Sequence, residues 1–126
     1  MAFHAQDIDL QQLAEEVIKA LNEIASGLGT DQDLGKVTRD IVGHFLDAYP
    51  AYNCMVVHPP HIATFKECVK QEIRVPYDYV FSRLYKVYVF KEGTFTLLGD
   101  GGYENWCFGG NFERDGKHVT FKLRPY

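Results

Sequence analysis

IVGHFLDAYPAYNCMVVH, residues 41–58, changes its period at Pro50. Up to Tyr49 the apolar positions Leu34, Val37, Ile41, Val42, Phe45 and Leu46 recur every three or four residues, the spacing of one helix face. Pro50 disfavours helical torsions in the residue before it, so the helix is predicted to end at Tyr49. Beyond it, YNCMVVH at 52–58 is an apolar run of strand length, stopped by Pro59-Pro60. Charge changes with the period: residues 1–50 hold 9 Asp and Glu against 3 Lys and Arg, and residues 51–126 hold 8 against 10.

Upstream of this switch, Leu10, Leu13, Val17, Leu21, Ile24 and Leu28 form a second stripe of helical period. Asp7 or Asp9 can cap its start, with Glu15 and Glu16 following, and Gly27 and Gly29 supply a stop. Thr30, Asp31 or Asp33 can open the next helix. The short loop between the two predicts a compact helix pair.

Downstream the pattern is aromatic and strand-like. Residues 61–78 admit two readings: Ile62, Phe65, Val69 and Ile73 fit helical spacing, whereas Ile73-Arg74-Val75-Pro76 looks extended. YVFSRLYKVYVF at 79–90 is apolar on both faces, as a central strand covered on both sides would be. Lys91-Glu92-Gly93 can turn it into a strand over 94–98, and Gly99-Asp100-Gly101-Gly102 is a loop. A strand over 105–113 would carry Trp106, Phe108 and Phe112 on one face. Asp115-Gly116 signals a type I′ hairpin. The returning strand alternates Val119, Phe121 and Leu123 with His118, Thr120 and Lys122.

These segments predict one α+β domain over 1–126. Two N-terminal helices (about 7–49) pack on a mainly antiparallel sheet (about 52–124) of four to six strands. The connections after residue 79 suit a meander. A chain of 126 residues, 46% hydrophobic and 14% aromatic, is long and apolar enough for a real core. The net charge of −4 argues against a general binder of nucleic-acid backbones. No apolar run approaches the ~18 residues of a membrane span, and MAFHAQDIDL lacks the basic and apolar regions of a signal peptide. The three cysteines, Cys54, Cys68 and Cys107, cannot all pair within one chain; the expectation is free thiols in a cytoplasmic protein.

Chemistry-bearing constellations are sparse. His58-Pro59-Pro60-His61 could bring two imidazoles together, with Cys54 or Cys68 completing a zinc site, but no Cys-x-x-Cys is present and the spacing suits a polar turn with two surface histidines. Cys107, with His118 or His58 as base, could be drawn as a nucleophile, yet a thiol between Trp106 and Phe108 reads as a small buried apolar group. The Gly-Asp-Gly-Gly loop lacks the Gly-Lys-Ser/Thr of a phosphate loop and the acidic spacing of a calcium loop. No catalytic residue, metal site or cofactor is therefore expected.

The order Phe45, Tyr49, Pro50, Tyr52, Cys54 resembles the dynein light chain family, in which two helices lead into a first strand opened by an aromatic residue and a cysteine. YKVYVFKEG at 85–93 is similar to that family's final aromatic strand. The resemblance spans residues 10–93 at most. It implies a dimeric hub that binds extended peptides as an added strand at a sheet edge. By position it would put His61, Thr64, Phe65 and Lys66 along that edge. Three features depart from the family: Pro59-Pro60 before the edge, a longer segment at 67–80, and a hairpin over 99–126 without counterpart.

The expected function is a non-enzymatic cytosolic binding module for a protein or peptide, working through an edge strand or an aromatic sheet face, with His61, Thr64, Phe65, Lys66, Tyr85 and Tyr88 as candidate contacts. The helices can cover only one face of strand 79–90, so a second copy is expected on the other, as a homodimer. Neither nucleic acid nor membrane is an expected partner. The alternative is a small apolar ligand-binding protein or enzyme with a cavity between the helices and a curved sheet, lined by Trp106, Phe108, Tyr85 or Tyr88.

Overall fold

The structure, a computed structural model, describes residues 8–125. Asp9 caps α1 (Leu10–Ser26), its carboxylate accepting from the N–H of Gln12 at 2.7 Å. Asp33 does the same for α2 (Leu34–Ala48), accepting from Lys36 N–H at 3.2 Å. Asp7, the other candidate cap, lies outside the described residues. Leu13, Val17 and Leu21 of α1 and Val37, Ile41, Val42 and Phe45 of α2 are buried, the stripes their spacing predicts. Tyr49 ends α2 and its hydroxyl donates to Glu16 of α1 at 2.6 Å, tying the helix pair together.

Eight strands follow among the described residues: β1 Asn53–Val57, β2 His61–Lys66, β3 Val69–Pro76, β4 Ser82–Phe90, β5 Glu92–Leu97, β6 Trp106–Gly109, β7 Phe112–Asp115 and β8 His118–Phe121. They form two antiparallel sheets of four, ordered β3-β4-β1-β6 and β2-β5-β8-β7. The α+β class, helices first and antiparallel sheet after, is as predicted; the strands outnumber the expected four to six and divide between two sheets. The molecule is thus three layers: helices, first sheet, second sheet. One core lies between helices and first sheet, with Tyr85, Val87 and Val89 of β4 facing Phe45, Ile41 and Val17. The other lies between the sheets, with Tyr88 and Phe90 of β4 facing Phe95, Val119 and Phe121.

The chain passes from one sheet to the other at several kinks, and these correct several expectations. Pro59-Pro60 carries β1 into β2, and Glu67, with φ +49°, carries β2 back into β3. Residues 61–78 are therefore extended, not helical. Strand β4 begins at Ser82; Tyr79, Val80 and Phe81 sit exposed at the tip of the β3–β4 hairpin. Lys91-Glu92-Gly93 does not turn a hairpin: β4 and β5 lie in different sheets, so there is no meander. The segment 105–113 is two strands, broken at Gly110, where φ is +120°. Of the Asp115-Gly116 hairpin, only Gly116 has positive φ (+61°), so the turn is not type I′, which needs two such residues. Strand β8 stops at Phe121, and Leu123 is exposed rather than on the buried face.

The second sheet covers the face of β4 that the sequence leaves for another chain. Residues 87–90 are all buried by this chain's own layers. The premise of the expected dimer is thereby removed.

Candidate functional site

At one end of the second sheet, β2 has β5 as its only strand partner among the described residues. The N–H of Leu98 donates to Pro60 O at 2.8 Å, while that of Leu97, opposite His61, turns away to Lys117 O at 2.8 Å. Antiparallel pairs alternate between bonded and non-bonded positions. His61, Ala63 and Phe65 therefore direct their backbone N–H and C=O groups to the open side of β2.

Beneath this edge the first sheet projects one strand further. β2 lies over β4: Phe65 stacks on Phe90 with ring centroids 3.6 Å apart, and His61 meets Tyr88 edge-on at 5.7 Å. β3 lies beyond β4, and among the described residues no strand of the second sheet covers it. Its residues alternate accordingly. Val69, Ile73 and Val75 are buried toward the helices, and Lys70, Glu72 and Arg74 are exposed on the opposite face. The result is a ledge whose wall is the open edge of β2 and whose floor is Lys70, Lys86 and Tyr88. Pro59-Pro60 closes one end, and the cleft measures about 540 Å³.

His61 sits in the corner of the ledge. Its Nδ1 lies 2.9 Å from the carbonyl of Pro59, and its Nε2 lies 2.7 Å from the hydroxyl of Tyr88. A carbonyl can only accept, so Nδ1 carries a proton and, in the neutral ring, Nε2 accepts from Tyr88. The ring also stacks on Phe95 at 5.2 Å. Burial lowers the His61 pKa below 6.5; the Pro59 carbonyl works against this, and the charges of Lys86 and Lys70 reinforce it. Burial likewise raises the Tyr88 hydroxyl.

Of the six candidate contacts, His61, Phe65 and Tyr88 come together at this corner. Thr64 and Lys66 lie on the same strand with exposed side chains, Lys66 pairing loosely with Glu92 at 3.6 Å. Tyr85 does not join them. It points to the opposite face of β4, fully buried against the helices, with its hydroxyl donating to Glu104 O. The sequence reading missed Ala63, Lys70 and Lys86. The alternation of Val69, Ile73 and Val75 with Lys70, Glu72 and Arg74 was the signal for the floor, masked by the helical spacing that the same residues also fit.

The histidines of the Pro-Pro turn have separate partners. His58 is exposed with Nδ1 at 3.1 Å from Leu84 O, whereas His61 is half-buried inside β2 rather than on the turn surface. Among the described residues no group of three His, Cys, Asp or Glu could hold a metal ion. Cys54, Cys68 and Cys107 are free thiols. Burial pushes Cys68 and Cys107 up to about 11, and Cys54 upward too, so all three stay in the weakly nucleophilic protonated form. His118 belongs to the second sheet and bonds Thr96 at 2.9 Å, away from the helix-side core that holds Cys107.

Between helices and first sheet lie packed side chains such as Leu13, Phe45 and Tyr85. Trp106 and Phe108 instead border an open cleft of about 430 Å³ at the far ends of both sheets, where the Arg114 guanidinium lies 5.0 Å over Trp106.

Against known proteins, a 37-residue stretch is 57% identical to the stress response protein YvgO of Bacillus subtilis (strain 168), covering 29% of this chain. The matched stretch spans only 23% of that protein's length. No family model and no solved structure matches the chain. No helix among the described residues is long and apolar enough to cross a membrane.

Proposed function

We propose that this chain is a binding module that receives an extended peptide as an added strand on the open edge of β2. The observation that carries this reading is the ledge: an unpaired strand edge standing above a floor, one strand wide, that the second sheet leaves uncovered. A fifth strand placed beside β2 would take backbone hydrogen bonds from His61, Ala63 and Phe65, and every second side chain would point down to β3. Exposed sheet edges are usually blunted by charge, proline or a covering loop; Thr64 and Lys66 lend polarity here, but the backbone groups themselves stay open.

Ala63→Pro tests the reading. Its N–H faces the open side, so proline there removes a donor for the incoming strand while sparing the ladder to β5. The variant is expected to keep the melting temperature of the parent within a few degrees and to lose binding to strand-forming peptides. Unchanged binding would refute strand addition. The three free thiols suit a reducing compartment, and we assign the module to the cytoplasm, which cell fractionation checks. The likeness to a stress response protein names no ligand and adds nothing to this assignment.

A further inference from the structure

We propose that the strand received at β2 is acidic, with a carboxylate side chain seated between Lys70 and Lys86 on the floor of the ledge. This rests on the strand-addition reading and specifies its partner.

The floor carries a net positive charge. Lys70 faces Tyr88 across the β3–β4 pair and Glu72 faces Lys86, which makes Lys70 and Lys86 diagonal neighbours on one face. Diagonal positions of an antiparallel pair stand about 7–8 Å apart, a spacing that one carboxylate can bridge. Neither lysine has an ion-pair partner among the described residues: the four ion pairs are Lys36–Asp40, Lys66–Glu92, Lys91–Glu67 and Lys122–Glu113. Lys70 holds its ammonium 5.9 Å over the Tyr88 ring, and Arg74, next on this face, reaches only the Ser82 hydroxyl at 3.3 Å. Glu72 is the single acid on this part of the floor, against Lys70, Arg74 and Lys86.

Geometry selects which residues of the partner meet these charges. Side chains of a strand alternate in direction, and stacked sheets lie about 10 Å apart. Every second residue of an added strand therefore points at the floor, and a long acidic side chain can span the gap. Short and neutral side chains would leave the two ammonium groups facing each other as the cleft closed, which opposes binding. His61 sits beside this position and reports on it. Its imidazole is now kept neutral in part by Lys86 and Lys70; a carboxylate between them would offset that repulsion and raise the His61 pKa.

The test uses the whole chain and two blocked decapeptides, one alternating Thr and Glu, the other alternating Thr and Gln. The Glu peptide is expected to bind at least about tenfold more tightly at low salt, with the advantage shrinking as ionic strength rises. It should raise the His61 pKa measured by NMR, and the Gln peptide should not. Lys70→Gln with Lys86→Gln should abolish the preference for the Glu peptide, and a preference that survived would overturn the seat between these lysines; Lys70 is exposed and Lys86 half-buried, and an unchanged melting temperature confirms that the variant folds. Equal affinity for the two peptides, with both lost in Ala63→Pro, would overturn the acidic partner and leave strand addition standing. Glu-peptide binding that survives Ala63→Pro but vanishes in the lysine variant would mean charge attraction without an added strand, and would sink the strand-addition reading. Binding of neither peptide would overturn both.

Discussion

Asn53 is fully buried, and its side chain meets three backbone groups from three segments. It donates to the carbonyls of Lys91 (2.7 Å) and Lys122 (3.0 Å) and accepts from the N–H of Asn111 (2.8 Å). Lys91 and Asn111 lie where the chain leaves one strand for another, and Lys122 lies just past the end of β8, so this single amide satisfies backbone groups at strand ends. Asn53→Ala would strand all three in the interior, a cost of about 3 kcal/mol, read as a drop in the urea midpoint at unchanged slope. His61 gives the second prediction at this scale. Its folded pKa lies below 6.5, so the folded state binds fewer protons than the unfolded state in that range. The stability it contributes is complete above pH 6.5 and is lost as pH falls from there through the folded value. Urea midpoints should therefore decline between pH 7 and pH 5, and His61→Gln should flatten that decline. An identical decline in the variant would show that another group titrates.

Elements were readable in the sequence where one period ran long enough. Both helices follow from two stripes of helical spacing closed by an aspartate cap, and β1 follows from an apolar run bounded by Pro50 and Pro59-Pro60. β4 is legible as a strand apolar on both faces, but nothing in its own residues says what covers it. The second sheet was not legible because its strands run only four to six residues and three of them, β2, β5 and β7, are entered through a kink rather than a hairpin. Too few alternations fit in such a length to tell a new strand in another sheet from a continuation. Residues 105–113 show this: Trp106, Phe108 and Phe112 keep one parity, yet Gly110 breaks the strand and sends Phe112 into the other sheet. Gly110 has φ +120°, and a Cβ there would collide with the Asn53 side chain. Gly110→Ala is predicted to cost at least about 2 kcal/mol, from backbone strain and displacement of that amide together. A loss below ~0.5 kcal/mol in chemical denaturation would mean the crossing tolerates another path.

For the whole molecule, the decisive fact is that three layers of one chain cover both faces of β4. The sequence argues for a second subunit because two helices cannot cover a strand that is apolar on both sides. The physics of that step holds, and the cover turns out to be the chain's own second sheet. Tyr88 illustrates the consequence. It is 7% exposed between the sheets, so Tyr88→Glu would bury a charge in the intersheet core and unfold the protein rather than dissociate it. Half of the candidate site was legible for a related reason. Position along the chain put His61 and Phe65 at an edge, but the lysines that give the ledge its charge come from β3 and β4, and only the stacking of two sheets brings them under β2. The open edge of β2 offers backbone on one strand, a contact far smaller than the ~2,000 Å² typical of an obligate dimer. Sedimentation at micromolar concentration is therefore expected to show a 14.4 kDa monomer. A species of twice that mass would be informative if Ala63→Pro returned it to the monomer: two β2 edges would then be pairing with each other, and the second copy would occupy the ledge in place of a peptide. A dimer that persisted in Ala63→Pro would instead place the contact elsewhere, and the exposed aromatic tip at Tyr79–Phe81 would be the next surface to mutate.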